Sequence, residues 1–154
     1  MHKVISTAYL PTINYFSEII SGENIYLELF ENYQRHSIRN RSTILAANNT
    51  VLLTVPIKKE TKKMIKDVKI ANNNWKKKHI MSIKSAYGSS PFFIHYFEDI
   101  INIINNRYTF LIDLNNELLY YFIKELKIEK KINYIKEYIN NYNTNYHDLR
   151  TRLP

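Results

Sequence analysis

The stretch that decides the fold is residues 4–30, VISTAYLPTINYFSEIISGENIYLELF. Its opening is short, apolar and β-branched, which is typical of a buried strand. Pro11 ends that strand, and Thr12 can cap a helix over residues 13–21. Residues 25–30 then have the pattern of a second strand. A strand, a helix and a strand in such close succession predict a parallel βαβ unit.

The rest of the chain predicts a hairpin and then helices. Two strand-like segments flank Asn48–Asn49, and asparagine tolerates the left-handed conformation that a tight turn needs. We expect an α/β fold, in which a small mixed sheet with an N-terminal βαβ unit and a β-hairpin precedes a helical C-terminal half. Helices are predicted over residues 75–87 with Asn74 as cap, from Ser90–Pro91 to Asn105, and from Asp113 to Leu126, with short strands at 67–70 and 132–139. The expected core includes Trp75, Phe93, Phe97, Ile100, Leu118 and Phe122.

Composition excludes several classes of site. The chain of 154 residues has no cysteine, which removes disulfides, thiolate catalysis and cysteine-based zinc sites. Its two glycines, Gly22 and Gly88, do not form a glycine-rich phosphate loop. No metal-ligand spacing is present, so we expect no metal site. No motif in the sequence indicates a particular cofactor, which stays unknown. No apolar run approaches the roughly 18 residues of a membrane span, and no secretory signal opens the chain, which favours a cytoplasmic protein.

The positive charge is concentrated in one segment. The net charge is +8, and residues 58–84 hold ten lysines against Glu60 and Asp67, which accounts for all of it. Such a stripe can attract nucleic acid, anionic lipid or a phosphorylated substrate. A solvated face produced by compositional drift gives the same pattern.

A second polar stretch, ENYQRHSIRNR, covers residues 31–41. Its arginines, at 35, 39 and 41, offer rigid donor forks that suit phosphate or carboxylate groups. Asn32 and Asn40 can both donate and accept hydrogen bonds. The alternative is a surface loop whose arginines pair with acidic residues, with Glu28 or Glu31 as the compensating carboxylate.

This stretch resembles the signature of the WbqC-like proteins, which ends in Arg-Asn-Arg. Further agreement comes from Ala8-Tyr-Leu-Pro11, from Leu53-Thr-Val-Pro-Ile57, from Trp75 with His79, and from Tyr87 followed by Pro91-Phe-Phe93. The likeness extends over roughly residues 4 to 150. Ile38 departs from the family pattern, which usually has an aromatic residue there. We expect one WbqC-like domain over residues 1–154 that lacks the C-terminal segment with which the family continues.

The resemblance implies a role in bacterial cell-surface polysaccharide (O-antigen or capsule) biosynthesis. From the residues we expect a small anionic substrate, such as a sugar nucleotide or a carrier, and a group transferase if the protein is an enzyme. The other readings are a basic nucleic-acid-binding module, using the lysine stripe and Trp75, and a non-catalytic remnant. The sequence does not indicate an oligomeric state.

The expected site lies at one edge of the sheet. Ligands of open α/β sheets bind beyond the carboxyl ends of parallel strands, and both predicted strands are followed there by polar residues. His79 is the candidate for acid–base catalysis because its ordinary pKa is near neutral. Alternatively, it is a buried histidine held by a main-chain carbonyl. The candidate substrate-binding residues are Tyr9, Asn14, Asn32, Tyr33, Arg39, Asn40 and Arg41, and if residues 39–41 are extended, both arginines point the same way.

Overall fold

The computed structural model describes residues 1–59, 63–71 and 74–153. The six strands are β1 (His2–Ser6), β2 (Ile25–Glu28), β3 (Arg41–Leu45), β4 (Thr50–Thr54), β5 (Ile132–Tyr134) and β6 (Tyr146–Asp148). The four helices are α1 (Ile13–Ser21), α2 (Trp75–Tyr87), α3 (Phe93–Asn105) and α4 (Leu111–Glu125). None of the helices within these described ranges has the length and apolarity needed to cross a membrane.

The main sheet has four parallel strands in the order β5-β2-β1-β6. Strands β1 and β2 pair in parallel from Lys3 opposite Ile25 to Ser6 opposite Glu28, with α1 between them in the chain. The predicted βαβ unit is therefore confirmed. Strand β1 ends at Ser6 rather than at residue 9, so the next residues leave the sheet and enter the region of the site.

The hairpin is also confirmed, and it forms a second, separate sheet. Strands β3 and β4 are antiparallel, from Arg41 opposite Thr54 to Leu45 opposite Thr50. Strand β3 begins at Arg41, earlier than predicted, so the last arginine of the polar stretch already belongs to the hairpin.

Helix α4 lies between two apolar cores. Leu114 and Leu118 pack with residues of the hairpin and of α2 and α3. Leu119 and Ile123 pack with α1 and the parallel sheet. Burial of two faces explains why α4 remains helical although neither of its ends has a side-chain cap.

Two predicted helix caps and two predicted helix starts need correction. Thr12 and Asn74 make no side-chain capping bond in the structure, although α1 and α2 begin directly after them. Helix α3 begins at Phe93 rather than at Ser90, because Phe92 takes a left-handed conformation with φ of 63°. Helix α4 begins at Leu111, which places Asp113 inside its first turn instead of at its cap.

The short strands were predicted less well. Residues 65–67 form a 3-10 helix, and only isolated bridges at Lys69 and Ile70 remain of the strand expected at 67–70. Strand β5 covers only the first residues of 132–139. Strand β6, at Tyr146–Asp148, was not predicted; the pairing partner that makes it a strand is β1, which lies at the other end of the chain.

The core prediction is confirmed for two of its residues. Trp75 and Leu118 are buried. The other four, Phe93, Phe97, Ile100 and Phe122, are only half-buried, although they pack against the same core. Phe93 and Phe97 stack on each other at 4.3 Å, so each shields part of the other's ring.

Truncation of Leu118 should identify the core by its cost. Leu118 is fully buried, so Leu118→Ala should lower the free energy of unfolding by about 2–5 kcal/mol, through lost transfer energy and a residual cavity. Leu126 follows the same helix directly and is 55% exposed, so it gives the matched control. Leu126→Ala should change the free energy of unfolding by less than about 0.5 kcal/mol. Chemical denaturation of both variants measures the difference, and equal losses would contradict the assignment of the buried face.

Candidate functional site

Arg39 is buried and paired with Glu31. Its guanidinium contacts the carboxylate twice, with Nε to Oε1 at 2.8 Å and Nη2 to Oε2 at 2.6 Å. Nη2 also donates to Ser6 Oγ, at the end of β1, at 2.8 Å. Arg39 is only 1% exposed, so this bidentate pair neutralises a charge that water does not reach. The carboxylate alternative therefore accounts for Arg39.

The main chain around Arg39 is held by three elements. Asn115 of α4 donates from Nδ2 to the carbonyl of Arg39 at 2.8 Å. Asn40 donates from Nδ2 to the Val55 carbonyl at 2.9 Å, and Val55 N donates back to the Asn40 carbonyl at 2.8 Å. Asn40 thus joins the polar stretch to the residue after β4, which is a structural role.

A second set of ion pairs fills the sheet edge. Glu28, at the end of β2, is fully buried and lies 3.4 Å from Nη1 of Arg150. Arg150 also pairs with Asp148 at 2.6 Å, and this carboxylate raises the pKa of the guanidinium. The carboxyl ends of the two central strands are therefore occupied by protein side chains. The open space lies farther out, around Arg41.

Two neighbouring cavities share Arg41 and His36 in their lining. The basic cavity, about 250 Å³, is lined by Tyr33, Arg35, His36, Asn40, Arg41, Thr54, Val55, Pro56, Ile57, Lys58 and Lys59. The central cavity, about 350 Å³, is lined by Ala8, Tyr9, Leu10, Pro11, Thr12, Tyr15, His36, Ser37, Ile38, Arg41, Ser42, Thr43 and Leu52.

The guanidinium of Arg41 is the unneutralised charge between these cavities. It makes no ion pair or hydrogen bond with any residue in the described part of the chain, and its Nε is buried there. The described linings of both cavities contain no acidic residue, whereas Arg35, Lys58 and Lys59 add positive charge to the basic one. Burial raises the pKa of the Tyr33 hydroxyl, and Arg41 opposes that shift. An anion beside Arg41 would supply the missing partner.

Tyr9 and His79 form a buried pair behind the central cavity. The Tyr9 hydroxyl lies 2.8 Å from His79 Nδ1. Burial lowers the pKa of His79 to about 4, opposed by a hydrogen bond to the main chain of Thr54, so the imidazole is neutral at pH 7. Burial likewise raises the pKa of Tyr9. Since Tyr9 lines the cavity and His79 does not, His79 reaches the cavity only through Tyr9.

The candidate residues are thus distributed unevenly. Four of them, Tyr9, Tyr33, Asn40 and Arg41, line the two cavities. Asn14 is exposed on α1, and Asn32 is exposed and bridges to Met64 through its main chain. Neither asparagine belongs to the described lining of these cavities.

Sequence reasoning gave too little weight to four cavity residues. Arg35 and His36 lie in the same polar stretch and could contact an anion, but neither was among the candidate substrate-binding residues. Lys58 and Lys59 begin the lysine stripe, and they line the cavity together with Val55, Pro56 and Ile57, which join them to the end of β4. Their short distance in sequence from the predicted second strand of the hairpin could have indicated that these two lysines lie beside the site.

Two of the four described non-glycine residues with a left-handed backbone line the central cavity. Leu10 and His36 both have left-handed conformations, with φ of 46° and 59°. Such conformations are uncommon outside glycine and asparagine, and they concentrate at functional sites when the surrounding structure enforces them. Both residues line the central cavity, so the strain and the unneutralised Arg41 occur together.

Some of the remaining lysines of the 58–84 stripe have local partners. Lys66 lies 4.2 Å from the centre of the Phe30 ring, and Lys76 donates to the carbonyls of Asn105 and Asn106 at 3.2 and 2.5 Å. Residues 60–62 and 72–73, which also belong to the stripe, lie outside the described residues. Among the residues that are described, no group of three metal-binding side chains forms.

The fold and the site together define an α/β protein with a basic cavity beside a parallel sheet. The WbqC-like protein family matches residues 7–152, and the chain belongs to that family. A comparison with curated proteins found no match, and a comparison with solved structures found none either.

Substitutions in the polar stretch should distinguish the buried, ion-paired Arg39 from Arg41, which has no described ion-pair partner. Glu31→Gln leaves Arg39 buried without its counter-charge and should lower the free energy of unfolding by about 3–5 kcal/mol. Arg41→Gln removes a charge with no described ion-pair partner, so it should change the free energy of unfolding by less than about 0.5 kcal/mol. Urea denaturation at pH 7 measures both, and a large loss for Arg41→Gln would mean that this charge stabilises the fold.

Stability should depend on pH through His79. Its pKa is about 4 in the folded protein against an ordinary 6.5, so the unfolded chain binds more protons between these values. Its contribution to stability is therefore complete above pH 6.5 and is lost as the pH falls towards 4, by about 2 kcal/mol at pH 5. Denaturation at pH 7 and pH 5 should show this loss in the wild type and not in His79→Gln. His95 is exposed, so the control variant His95→Gln should show the same loss of stability as the wild type. Equal losses in the wild type and in both variants would mean that His79 does not cause the pH dependence.

Proposed function

We propose that this WbqC-like protein acts in the biosynthesis of bacterial cell-surface polysaccharide. It binds the anionic part of an activated donor, a sugar nucleotide or a carrier, with the phosphate at Arg41. The observation that carries the proposal is the guanidinium of Arg41, which lies between two cavities without a described acidic partner. The polysaccharide role follows what the family resemblance implies.

The charges around Arg41 favour a ligand with more than one negative charge. Arg35, Lys58 and Lys59 lie in the lining of the basic cavity with it. Like charges brought together repel one another, and bound phosphate relieves that repulsion. Tyr33, half-buried in the same lining, offers a ring and a hydroxyl to the organic part of the ligand.

The reaction class that we propose is group transfer. An activated donor already contains its leaving group, so catalysis requires positioning and neutralisation of the negative charge that develops on that group. Arg41 supplies the neutralising charge where the leaving group is the phosphate itself, and with a carrier it positions the donor through its phosphate. His79, with a pKa of about 4, is a weak base at neutral pH, so we assign it the role of holding the Tyr9 hydroxyl in a fixed orientation.

Calorimetric titration with pyrophosphate and with a nucleotide sugar tests the proposal. Arg41→Gln should weaken binding of either ligand roughly 10- to 100-fold, the effect of one charge-assisted hydrogen bond. Arg107→Gln is the matched control, since Arg107 is exposed and lies outside the lining of both cavities, and it should bind as the wild type does.

Single-stranded RNA distinguishes the nucleic-acid alternative. Binding to the lysine stripe should fall steeply with salt and should weaken in a variant that changes the exposed Lys77 and Lys78 to glutamine. Binding of the proposed donor should be unaffected by that double change. RNA binding at physiological salt, together with donor binding that ignores Arg41, would refute the proposed function.

A further inference from the structure

A third cavity continues the site on its apolar side. This apolar groove, about 350 Å³, is bordered by Ile44 of β3, by Ile83 and Tyr87 of α2, by Ile100 of α3 and by Phe122 of α4. It shares Leu10, Pro11, Thr12, Ser42 and Thr43 with the central cavity. The basic cavity, the central cavity and the apolar groove therefore form one connected surface.

The chemistry along this surface changes in a fixed order. Four cationic side chains lie at one end, in the basic cavity. Hydroxyl groups, including those of Thr12 and Thr43, line the central cavity together with apolar side chains. Aliphatic and aromatic side chains dominate the far end. Each cavity alone lies near the lower end of the range for organic ligands, whereas the connected surface offers the room that an elongated ligand needs.

We propose that the activated donor is an acyl thioester of a phosphopantetheine carrier, such as an acyl-coenzyme A. Its phosphates lie at Arg41 in the basic cavity, its polar amide-containing arm crosses the central cavity, and its acyl chain occupies the apolar groove. The inference rests on the proposed function, since it assigns the donor whose phosphates Arg41 binds. It adds the chemical class of the group that is carried.

The middle of the surface favours this donor over a lipid phosphate. In an alkyl or isoprenyl phosphate the apolar chain begins directly at the phosphate. Here a cavity with hydroxyl groups separates the cations from the apolar groove, and Thr12 and Thr43 are both exposed to it. A pantetheine arm has amide groups at the matching position, and hydroxyls can donate to and accept from them.

Calorimetric titration of the whole chain with a series of ligands tests the inference. The series is coenzyme A followed by its acetyl, butanoyl, hexanoyl and octanoyl thioesters. If the acyl chain of the ligand enters the apolar groove, each added methylene should lower the dissociation constant about fourfold until the groove is filled. A dissociation constant that does not change with chain length would overturn the inference.

Two substitutions of α2 locate the effect. Tyr87 is 40% exposed and borders the groove, so Tyr87→Asp should remove most of the dependence on chain length while coenzyme A itself still binds. Met81 is 57% exposed on the same helix but is not in the groove lining, so Met81→Asp should keep the dependence. If both variants lost the dependence on acyl-chain length, or if neither did, the acyl chain would not lie in the apolar groove.

The same titrations separate this inference from the proposed function. Arg41-dependent binding of pyrophosphate or a nucleotide sugar, without binding of coenzyme A, would overturn the acyl carrier and leave the anion site intact. Farnesyl phosphate that binds more tightly than octanoyl-coenzyme A would overturn it in favour of a lipid phosphate. No Arg41-dependent binding of any of these ligands would refute both.

Discussion

The buried pair of Arg39 and Glu31 is the interaction on which the rest of the site depends. Both residues are nearly inaccessible to water, so neither charge is tolerable without the other. The pair joins the end of β1, through Ser6, to the segment that follows β2 and to the segment that opens the hairpin. It therefore ties together two sheets that share no strand, and the central cavity is lined by residues that follow β1 and by residues of the hairpin.

A short turn gives Arg39 and Arg41 different tasks. Had residues 39–41 been extended, the two side chains would have pointed to the same side. Residues 38–40 form a turn instead, and strand geometry begins only at Arg41. One guanidinium consequently faces the interior and a carboxylate, and the other faces the cavities. Asn40 fixes this turn by its two hydrogen bonds to Val55. The asparagine between the two arginines therefore has a structural role.

Local patterns predicted the elements whose partners are close in the chain. The βαβ unit and the hairpin are of this kind, and so is the face of α2 that carries Trp75, His79 and Ile83. Patterns could not predict β6, because its strand character depends on pairing with β1. For the candidate site, the polar stretch pointed equally to Arg39 and Arg41. It could not show that Arg39 is buried, since the position of Glu31 relative to Arg39 is set by a turn. His79 was recognised by residue type, and only packing revealed its low pKa and its position behind Tyr9.

The order of strands in the main sheet has a consequence for biosynthesis. β1 lies between β2 and β6, and β6 pairs Tyr146 with His2, so one side of β1 receives its partner from a segment far along the chain. On the ribosome, β1 and β2 can associate early, but β1 keeps an unpaired edge until β6 has emerged. Contacts of such wide sequence separation slow folding, and open edges invite association between nascent chains. Production in a heterologous host should consequently benefit from slower translation or from added chaperones.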